Sequence, residues 1–322
     1  MPLTRRHFAA GMALAMLAAM SPAPCAAQDK PMTIIVGSPA GGTTDALARL
    51  IARSMSQTLH RTVVVDNRPG AGGNIAAQYV ARSVPDGSTL LMSFTAHTIN
   101  ASLYKNLPFD AVRDFTPITM VARVPSVLVA RKNAPFDTTA GLIEYAKRNP
   151  GKLSFAIGAQ GSSLHLASEQ FKLQTGTDIL NIPYKGTGPA MTDLLGGTVD
   201  LMFASTVNVL PHAHGGSLKI LGVSSKDPLP QFAGVPTIAA TVKGFESSAW
   251  FGLFGPAKLP QAVTDQLYRA VKIAVEDPAY QRRMETEAAI AVSMTPQAFG
   301  QFVRNDIQHW AKVIQSSGTK VE

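Results

Sequence analysis

The chain has 322 residues, of which 29 are Lys or Arg, 21 are Asp or Glu, and 46% are hydrophobic. A chain of this length buries enough apolar surface for two domains, and its single cysteine, Cys25, excludes an internal disulfide. The basic residues are dispersed, without a long Lys/Arg run or an aromatic-interleaved basic stripe, so nucleic acid is not an expected partner.

The first residues have the pattern of an export signal. Arg5 and Arg6 precede an uncharged apolar stretch at 8–20, and small residues at 25–27 suit cleavage by a signal peptidase. Such a segment is too short and wrongly flanked for a membrane anchor. We therefore expect residues 1–27 to be a signal peptide and the mature protein to be periplasmic. The paired arginines leave the twin-arginine export route open beside the general one.

Apolar residues then alternate between strand and helix patterns. Strands are predicted at 32–36 and 62–65, and a third follows the turn sequence PDG at 85–87. Helical spacing predicts a helix that ends near Leu59, and Asn74 suits the N-cap of another. This βαβαβ order is typical of a parallel sheet with helices on its faces.

The same alternation returns later in the chain. Strands are predicted at 152–158, 178–184, 199–204 and 218–225, and helices at 162–176, 188–197, 261–276 and 296–316. Two α/β units of this kind favour two lobes with a cleft between them. Crossings at 124–131 and 245–254 would form a two-segment hinge that permits closure on a ligand.

Motifs for nucleotide chemistry are missing from the sequence. No P-loop lysine follows a glycine-rich loop, and in GAGGNI, residues 70–75, Ile75 stands where the dinucleotide fingerprint needs its third glycine. We therefore expect no nucleotide and no other cofactor.

Hydrolase and metal signals are weak. There is no Gly-x-Ser-x-Gly elbow, the Ser-x-x-Lys match at 102–105 is isolated, and His165 lies beside Ser162 on one helix start, an arrangement poorly suited to a triad. His212 and His214 form a close pair that is more typical of a solvated loop than of a zinc site. We expect no catalytic residue, no metal and no enzyme activity; an exported serine hydrolase is the less favoured alternative.

Four donor-rich loops remain, at 38–45, 70–74, 158–165 and 183–186. Glycine and serine at helix starts leave backbone N–H groups open, and the positive end of the helix dipole favours a carboxylate there. Because these loops follow equivalent strand ends in two units, they predict an anion site between lobes. Lys185 would add long-range attraction.

Several long strings carry a resemblance to a known family. They are PAGGTTDALAR at 39–49, GSSLHLASEQF at 161–171, GVPTIAA at 234–240, and longer stretches at 63–91, 182–203 and 294–314. On these strings the mature chain resembles the tripartite tricarboxylate transporter receptors, also called Bug proteins, over essentially its whole length.

The resemblance implies an α/β fold, that of a two-lobed type II periplasmic binding protein or Venus flytrap. Its two Rossmann-like domains would be residues 28–126 with 251–322, and residues 127–250. It also implies a monomer that captures a small organic carboxylate and delivers it to membrane transporter subunits. A sensing receptor that presents the solute to a signalling partner is the alternative within this class.

The resemblance further implies ligand-binding residues in both lobes. They are Ser38, Gly41, Gly42, Thr43, Thr44, Asp45, Gly72, Gly73, Asn74, Ser93, Thr95, Ser162, Ser163, His165, Tyr184, Lys185, Gly186 and Ser205. Two positions depart from the family pattern. Thr43 replaces a glycine, which would narrow the site, and Ala204 stands where many relatives have Asp, which favours a plain carboxylate over an amino acid.

Overall fold

The computed structural model describes residues 31–213 and 215–320, so the predicted signal peptide, Cys25 and His214 lie outside the described residues. In these two ranges, no helix is long and apolar enough to cross a membrane.

The first strands build the predicted βαβαβ unit. Its elements are β1 (Met32–Val36), α1 (Thr43–Thr58), β2 (Val63–Asn67), α2 (Asn74–Ala81) and β3 (Thr89–Phe94). Strand β1 pairs in parallel with both β2 and β3, which confirms the predicted parallel sheet. Apolar residues of β1 and α1, including Ile34 and Ile51, share one buried cluster, so the apolar face of α1 packs against the sheet.

One long strand joins the two parts of the sheet. After α3 (Ala96–Leu103), strand β4 (Phe115–Arg131) extends over 17 residues. Up to Pro125 it pairs antiparallel with β9 (Ser248–Pro256), which also pairs with β3. From Ser126 onward it pairs with β7 (Leu201–Ser205) and β8 (Leu218–Val223). We call the sheet before this change, with its helices, the first half, and the sheet after it the second half.

The second half repeats the βαβ arrangement. Its elements are α4 (Thr139–Arg148), β5 (Ser154–Ile157), α5 (Ser163–Thr175), β6 (Leu180–Pro183), α6 (Thr187–Gly196), β7 (Leu201–Ser205), α7 (Thr206–Val209) and β8 (Leu218–Val223). Strand β5 is parallel to both β6 and β7. Phe155 of β5 packs edge-on against Phe171 of α5, with ring centroids 6.2 Å apart, and this contact seats α5 on the sheet.

The C-terminal elements return to the first half. They are α8 (Gln261–Glu276), α9 (Pro278–Thr286), β10 (Ile290–Ala291) and α10 (Pro296–Ser317). Helix α10 also contacts the second half, because Trp310 shares a buried cluster with Ile99 of α3 and Leu166 of α5.

Most predicted elements are present with boundaries that differ by at most two residues. The sequence interpretation missed α3, α4, α7, α9, β10 and the part of β4 before residue 124. The second crossing, predicted at 245–254, is occupied from Ser248 onward by β9.

Candidate functional site

The first loop, residues 38–45, follows β1 at its carboxyl end and leads into α1. Gly41 has a φ of +85°, and its N–H donates to Oδ2 of Asp45 at 2.9 Å. The same oxygen accepts from Nε of Arg49 at 3.0 Å. The Arg49 hydrogen bond lowers the pKa of the buried Asp45 carboxyl, aided by the bond from Gly41. This carboxylate is therefore ionised and holds the loop closed.

Two polar atoms of the first loop are left over. Oγ of Ser38 and Oδ1 of Asp45 are buried and have no hydrogen-bond partner among the described residues. The carbonyl of Ser38 is already used, since it accepts from Nδ2 of Asn67 at 3.1 Å. A buried hydroxyl without a partner is costly, so the first loop has a donor to offer to a polar solute.

The second loop, residues 70–74, packs against the first. A Cβ on Gly37 would lie 2.8 Å from Cα of Gly73, so only glycine lets the two backbones approach this closely. The side-chain amide of Asn100 donates to the carbonyl of Gly72 at 3.2 Å and to Oδ1 of Asn74 at 2.8 Å. Asn100, which the sequence interpretation missed, therefore fixes the second loop from α3.

The third loop, residues 158–165, follows β5 and leads into α5. Gly161 has a φ of +74°, and its N–H donates to Nδ1 of His165 at 2.9 Å. Ser162 is the N-cap of α5, and its Oγ accepts from the backbone N–H of His165 at 3.2 Å. Because Nδ1 accepts a hydrogen bond, the proton of the neutral ring is assigned to Nε2, which lies 3.5 Å from Oε1 of Glu169.

Glu169 anchors the network beneath the third loop. Its carboxylate lies 2.8 Å from Nζ of Lys172 and accepts a hydrogen bond from Nδ2 of Asn181. Burial opposes its ionisation, but hydrogen bonds from His165, Lys172 and Asn181 outweigh that penalty and lower the pKa of Glu169 to about 2. The sequence interpretation missed Glu169 and Asn181.

This geometry does not form a serine nucleophile. Oγ of Ser162 is bound to a backbone N–H, and the imidazole of His165 faces Gly161 and Glu169 instead of Ser162. Among the described residues, no group of three or more His, Cys, Asp or Glu is arranged to hold a metal ion.

The fourth loop, residues 183–186, packs against the third as the second does against the first. The N–H of Gly186 donates to the carbonyl of Gly158 at 2.7 Å, and a Cβ on Gly158 would lie 3.0 Å from the backbone nitrogen of Thr187. The hydroxyl of Tyr184 donates to Asp193 at 2.7 Å, and burial, with the neighbouring carboxylate, raises its pKa. Lys185 is exposed.

The other predicted site residues are less open to a solute. Ser93 is buried on β3, and Oγ1 of Thr95 accepts from the backbone N–H of Trp250 at 2.8 Å. Ser205 is half-buried at the end of β7. Ala204 is fully buried in an apolar cluster. This position therefore gives no support to our expectation of a plain carboxylate over an amino acid as the ligand.

Four helices begin at these loops, α1, α2, α5 and α6. Glycines cap α1, α2 and α6, and in each case no cap side chain bonds the first-turn N–H groups. Only α5 has a side-chain cap, Ser162. Three helix N-termini therefore keep backbone N–H groups that can donate hydrogen bonds to an anion.

Comparison with known proteins identifies the family and the fold of this chain. Residues 47–319 match the model of the tripartite tricarboxylate transporter family receptor. The structure of the periplasmic binding protein BugD is 36% identical and covers 91% of this chain and 99% of its own, with a TM-score of 0.74. An R. palustris protein with adipate is 34% identical, covers 90% and 98%, and has a TM-score of 0.76.

A third solved structure is MatC from Rhodopseudomonas palustris with bound malate. It is 30% identical, covers 88% of this chain and 99% of its own, and has a TM-score of 0.72. These likenesses confirm the predicted α/β periplasmic binding-protein fold of the two-domain type, and the family consists of solute-binding receptors instead of enzymes. The chain belongs to the tripartite tricarboxylate transporter receptor family.

Proposed function

We propose that this protein captures a small carboxylate between the first and second loops on one side and the third and fourth loops on the other. The observation that carries the proposal is the repetition of one construction in both halves. In each half, two glycine-containing loops pack backbone to backbone at the carboxyl ends of parallel strands, where helix N-termini begin. Such sites bind anions without needing a cationic side chain.

The two halves would act as two lobes that close on the ligand. Their proposed extents are residues 28–126 with 251–322, and residues 127–250, joined by the crossings at 124–131 and 245–254. The change of partners in β4 at Ser126 supports the first boundary. Closure would bring the helix N-termini of both halves onto one solute and exclude water, which strengthens each hydrogen bond.

The surfaces of the loops supply the contacts. Gly42 and Thr43 are exposed at the start of α1, Ser163 is half-buried at the start of α5, and their backbone N–H groups would donate to the solute. The Ser38 hydroxyl lacks a partner among the described residues. Exposed Lys185 and the excess of Lys and Arg over Asp and Glu would attract anions over longer distances. The adipate and malate in the two similar structures indicate dicarboxylates as the first ligands to try.

The family name supports delivery of the bound solute to a membrane transporter by the closed form. Export by the residue 1–27 signal would place the protein in the periplasm as a monomer that docks on the transporter subunits. Its mildly basic, dispersed surface is compatible with a freely diffusing carrier.

A thermal-shift screen tests the proposal. Purified protein, stripped of co-purified solute, is heated with adipate, malate or succinate, and with the diamide of each acid as the uncharged control. At a hundredfold excess over Kd, one bound ligand raises the free energy of unfolding by about 2.7 kcal/mol. We expect stabilisation by at least one acid and none by the diamides. Equal curves for acids, diamides and buffer would contradict the proposal.

A further inference from the structure

The first and third loops are closed by the same hydrogen bond. In the first half, the N–H of Gly41 donates to Oδ2 of Asp45 at 2.9 Å, and in the second half the N–H of Gly161 donates to Nδ1 of His165, also at 2.9 Å. Each donor is a glycine with a positive φ, and each acceptor is the side chain four residues later, in the first turn of the following helix. One contact is therefore present once per half.

The neighbours of the two acceptors repeat with the charges reversed. One turn further along α1, the cation Arg49 lies 3.0 Å from the carboxylate of Asp45. One turn further along α5, the anion Glu169 lies 3.5 Å from Nε2 of His165. Each acceptor is thus held by a partner of the complementary kind, an arginine for the anion and a carboxylate for the ring N–H.

The next strand contributes an asparagine in both halves. On β2, Nδ2 of Asn67 donates to the carbonyl of Ser38, within the first loop. On β6, Nδ2 of Asn181 donates to Glu169, beneath the third loop. The same residue type therefore braces each loop network from the neighbouring strand.

Burial separates the two acceptors from the surface that a solute meets. Asp45 is 4% exposed and His165 is 3% exposed. By contrast, Gly41 and Thr43 are exposed, and Ser162 is half-buried. The acceptors therefore lie beneath the loops whose backbone they hold.

We propose that Asp45 and His165 are positioning residues that act on the ligand through Gly41 and Gly161 and do not contact it. This inference rests on the proposed carboxylate site. It replaces the direct ligand contacts that the family resemblance implies for these two side chains. What each position requires is an acceptor for the glycine N–H, which explains how a carboxylate and an imidazole serve the same purpose.

A pair of variants at His165 tests this assignment. In His165→Asn the side-chain oxygen lies near the place of Nδ1 and can still accept from Gly161, whereas His165→Leu has no acceptor. We expect the Leu variant to bind adipate or malate about tenfold more weakly, which corresponds to about 1.4 kcal/mol, the size of one hydrogen bond. The Asn variant should stay within about threefold of wild type.

Hydrogen exchange of the Gly161 amide is the second readout. Both variants lose the bond from Nε2 to Glu169, so a general loss of packing would affect them alike. If His165 positions the loop, the Gly161 amide remains protected in the Asn variant and exchanges fast in the Leu variant. Equal affinity of the two variants, whether high or low, would overturn the inference.

The failure of the underlying site is distinguishable from failure of this inference. Wild-type protein that binds none of the acids contradicts the carboxylate proposal itself, whereas wild-type binding with indifferent His165 variants contradicts only the positioning role. If His165→Leu does not fold, Asp45→Asn and Asp45→Leu provide the same comparison in the first half, with the Gly41 amide as the reporter. Equal ligand affinity and equal Gly41 exchange in that pair would likewise overturn the inference.

Discussion

The indole Nε1–H of Trp250 donates a hydrogen bond of 2.9 Å to Oδ2 of Asp306. Trp250 lies on β9 and Asp306 on α10, and the same oxygen accepts from the hydroxyl of Thr98 at 2.6 Å. Asp306 therefore ties the C-terminal helix α10 to β9 and to α3. Burial raises the pKa of its carboxyl although both hydrogen bonds act in the opposite direction.

Replacing Asp306 separates its acceptor role from its charge. Asp306→Ala leaves the indole N–H and the Thr98 hydroxyl without this acceptor, so we expect a loss of about 1–3 kcal/mol in the free energy of unfolding. Asp306→Asn keeps an acceptor and should change that free energy by less than about 1 kcal/mol. Urea unfolding at pH 7 measures both, and equal stability of the Ala variant and wild type would contradict the assigned role.

The pH dependence of the same pair gives the sign of the charge effect. A folded-state pKa above the unfolded value means that the protonated carboxyl is favoured by folding. Wild type should therefore lose stability relative to Asp306→Asn as the pH rises through the folded-state pKa.

Ser38→Ala should affect ligand binding and stability in opposite directions. Its hydroxyl is buried without a partner among the described residues, so removing it should leave the free energy of unfolding unchanged or raise it by up to about 1 kcal/mol. Carboxylate affinity should fall about threefold to tenfold, the equivalent of one hydrogen bond. Calorimetric titration and urea unfolding measure the two effects. Ser83→Ala is the control for binding, because this half-buried serine lies just after α2 and its hydroxyl donates only to the carbonyl of Tyr79 there; the change should leave carboxylate affinity unaltered.

Gly37→Ala should push the first and second loops apart. The added Cβ would meet the backbone of Gly73 at 2.8 Å, and backbone yields less readily than a side chain, so we expect a loss of about 1–3 kcal/mol in stability and weaker ligand binding. Gly196→Ala is the matched control, because its Cβ would approach only Thr198, at 4.0 Å. That change at the end of α6 should be neutral or slightly stabilising. If both variants unfold at the same temperature as wild type, the two loops are not packed as described.

Glu169 should make the protein sensitive to acid. Its pKa is lowered to about 2 in the folded protein, below the ordinary carboxyl value, so its contribution to stability is present above pH 4.5 and is lost as the pH falls toward 2. The full contribution amounts to up to about 3 kcal/mol. Unfolding at pH 7 and pH 3 should show a larger loss for wild type than for Glu169→Gln. An identical loss in the two proteins would contradict this reading.

Tryptophan fluorescence should report closure. The chain has two tryptophans, and Trp310 packs between helices of both halves, against Ile99 and Leu166. If the halves move on ligand binding, this contact changes and so does the emission. We expect a saturable change with a dicarboxylate that is largely absent in Trp310→Phe. A bound ligand, verified independently, that leaves wild-type emission unchanged would contradict a rearrangement at α10.

Local patterns predicted the elements that surround the site. Apolar spacing in α1, α8 and α10 is strongly periodic, and glycines mark the loops and the end of α5, so these elements and the four loops could be placed from sequence. Residues 115–123 of β4 were missed because their composition does not differ from that of the predicted crossing at 124–131, which continues the same strand. Helix α9 was missed because polar residues dominate it and only Tyr280 and Met284 are buried.

The hydrogen bonds inside the site could not be predicted from the sequence. His165 and Asp45 were placed on the loops from a family resemblance, but their hydrogen bonds to Gly161 and Gly41 depend on a positive φ at each glycine. The repeated spacing of glycine and a polar residue four positions later was a usable signal. The contributions of Asn100 and Asn181 required the tertiary structure, because each lies in a different element from the loop network that it stabilises.

Isothermal titration of stripped wild-type protein with adipate and with malate is the direct test of the proposed carboxylate site. We expect saturable binding of one molecule per chain for at least one dicarboxylate, with no detectable heat from the corresponding diamide. Heat of the same size from acid and diamide, or no saturable heat from any carboxylate of the series, would contradict it.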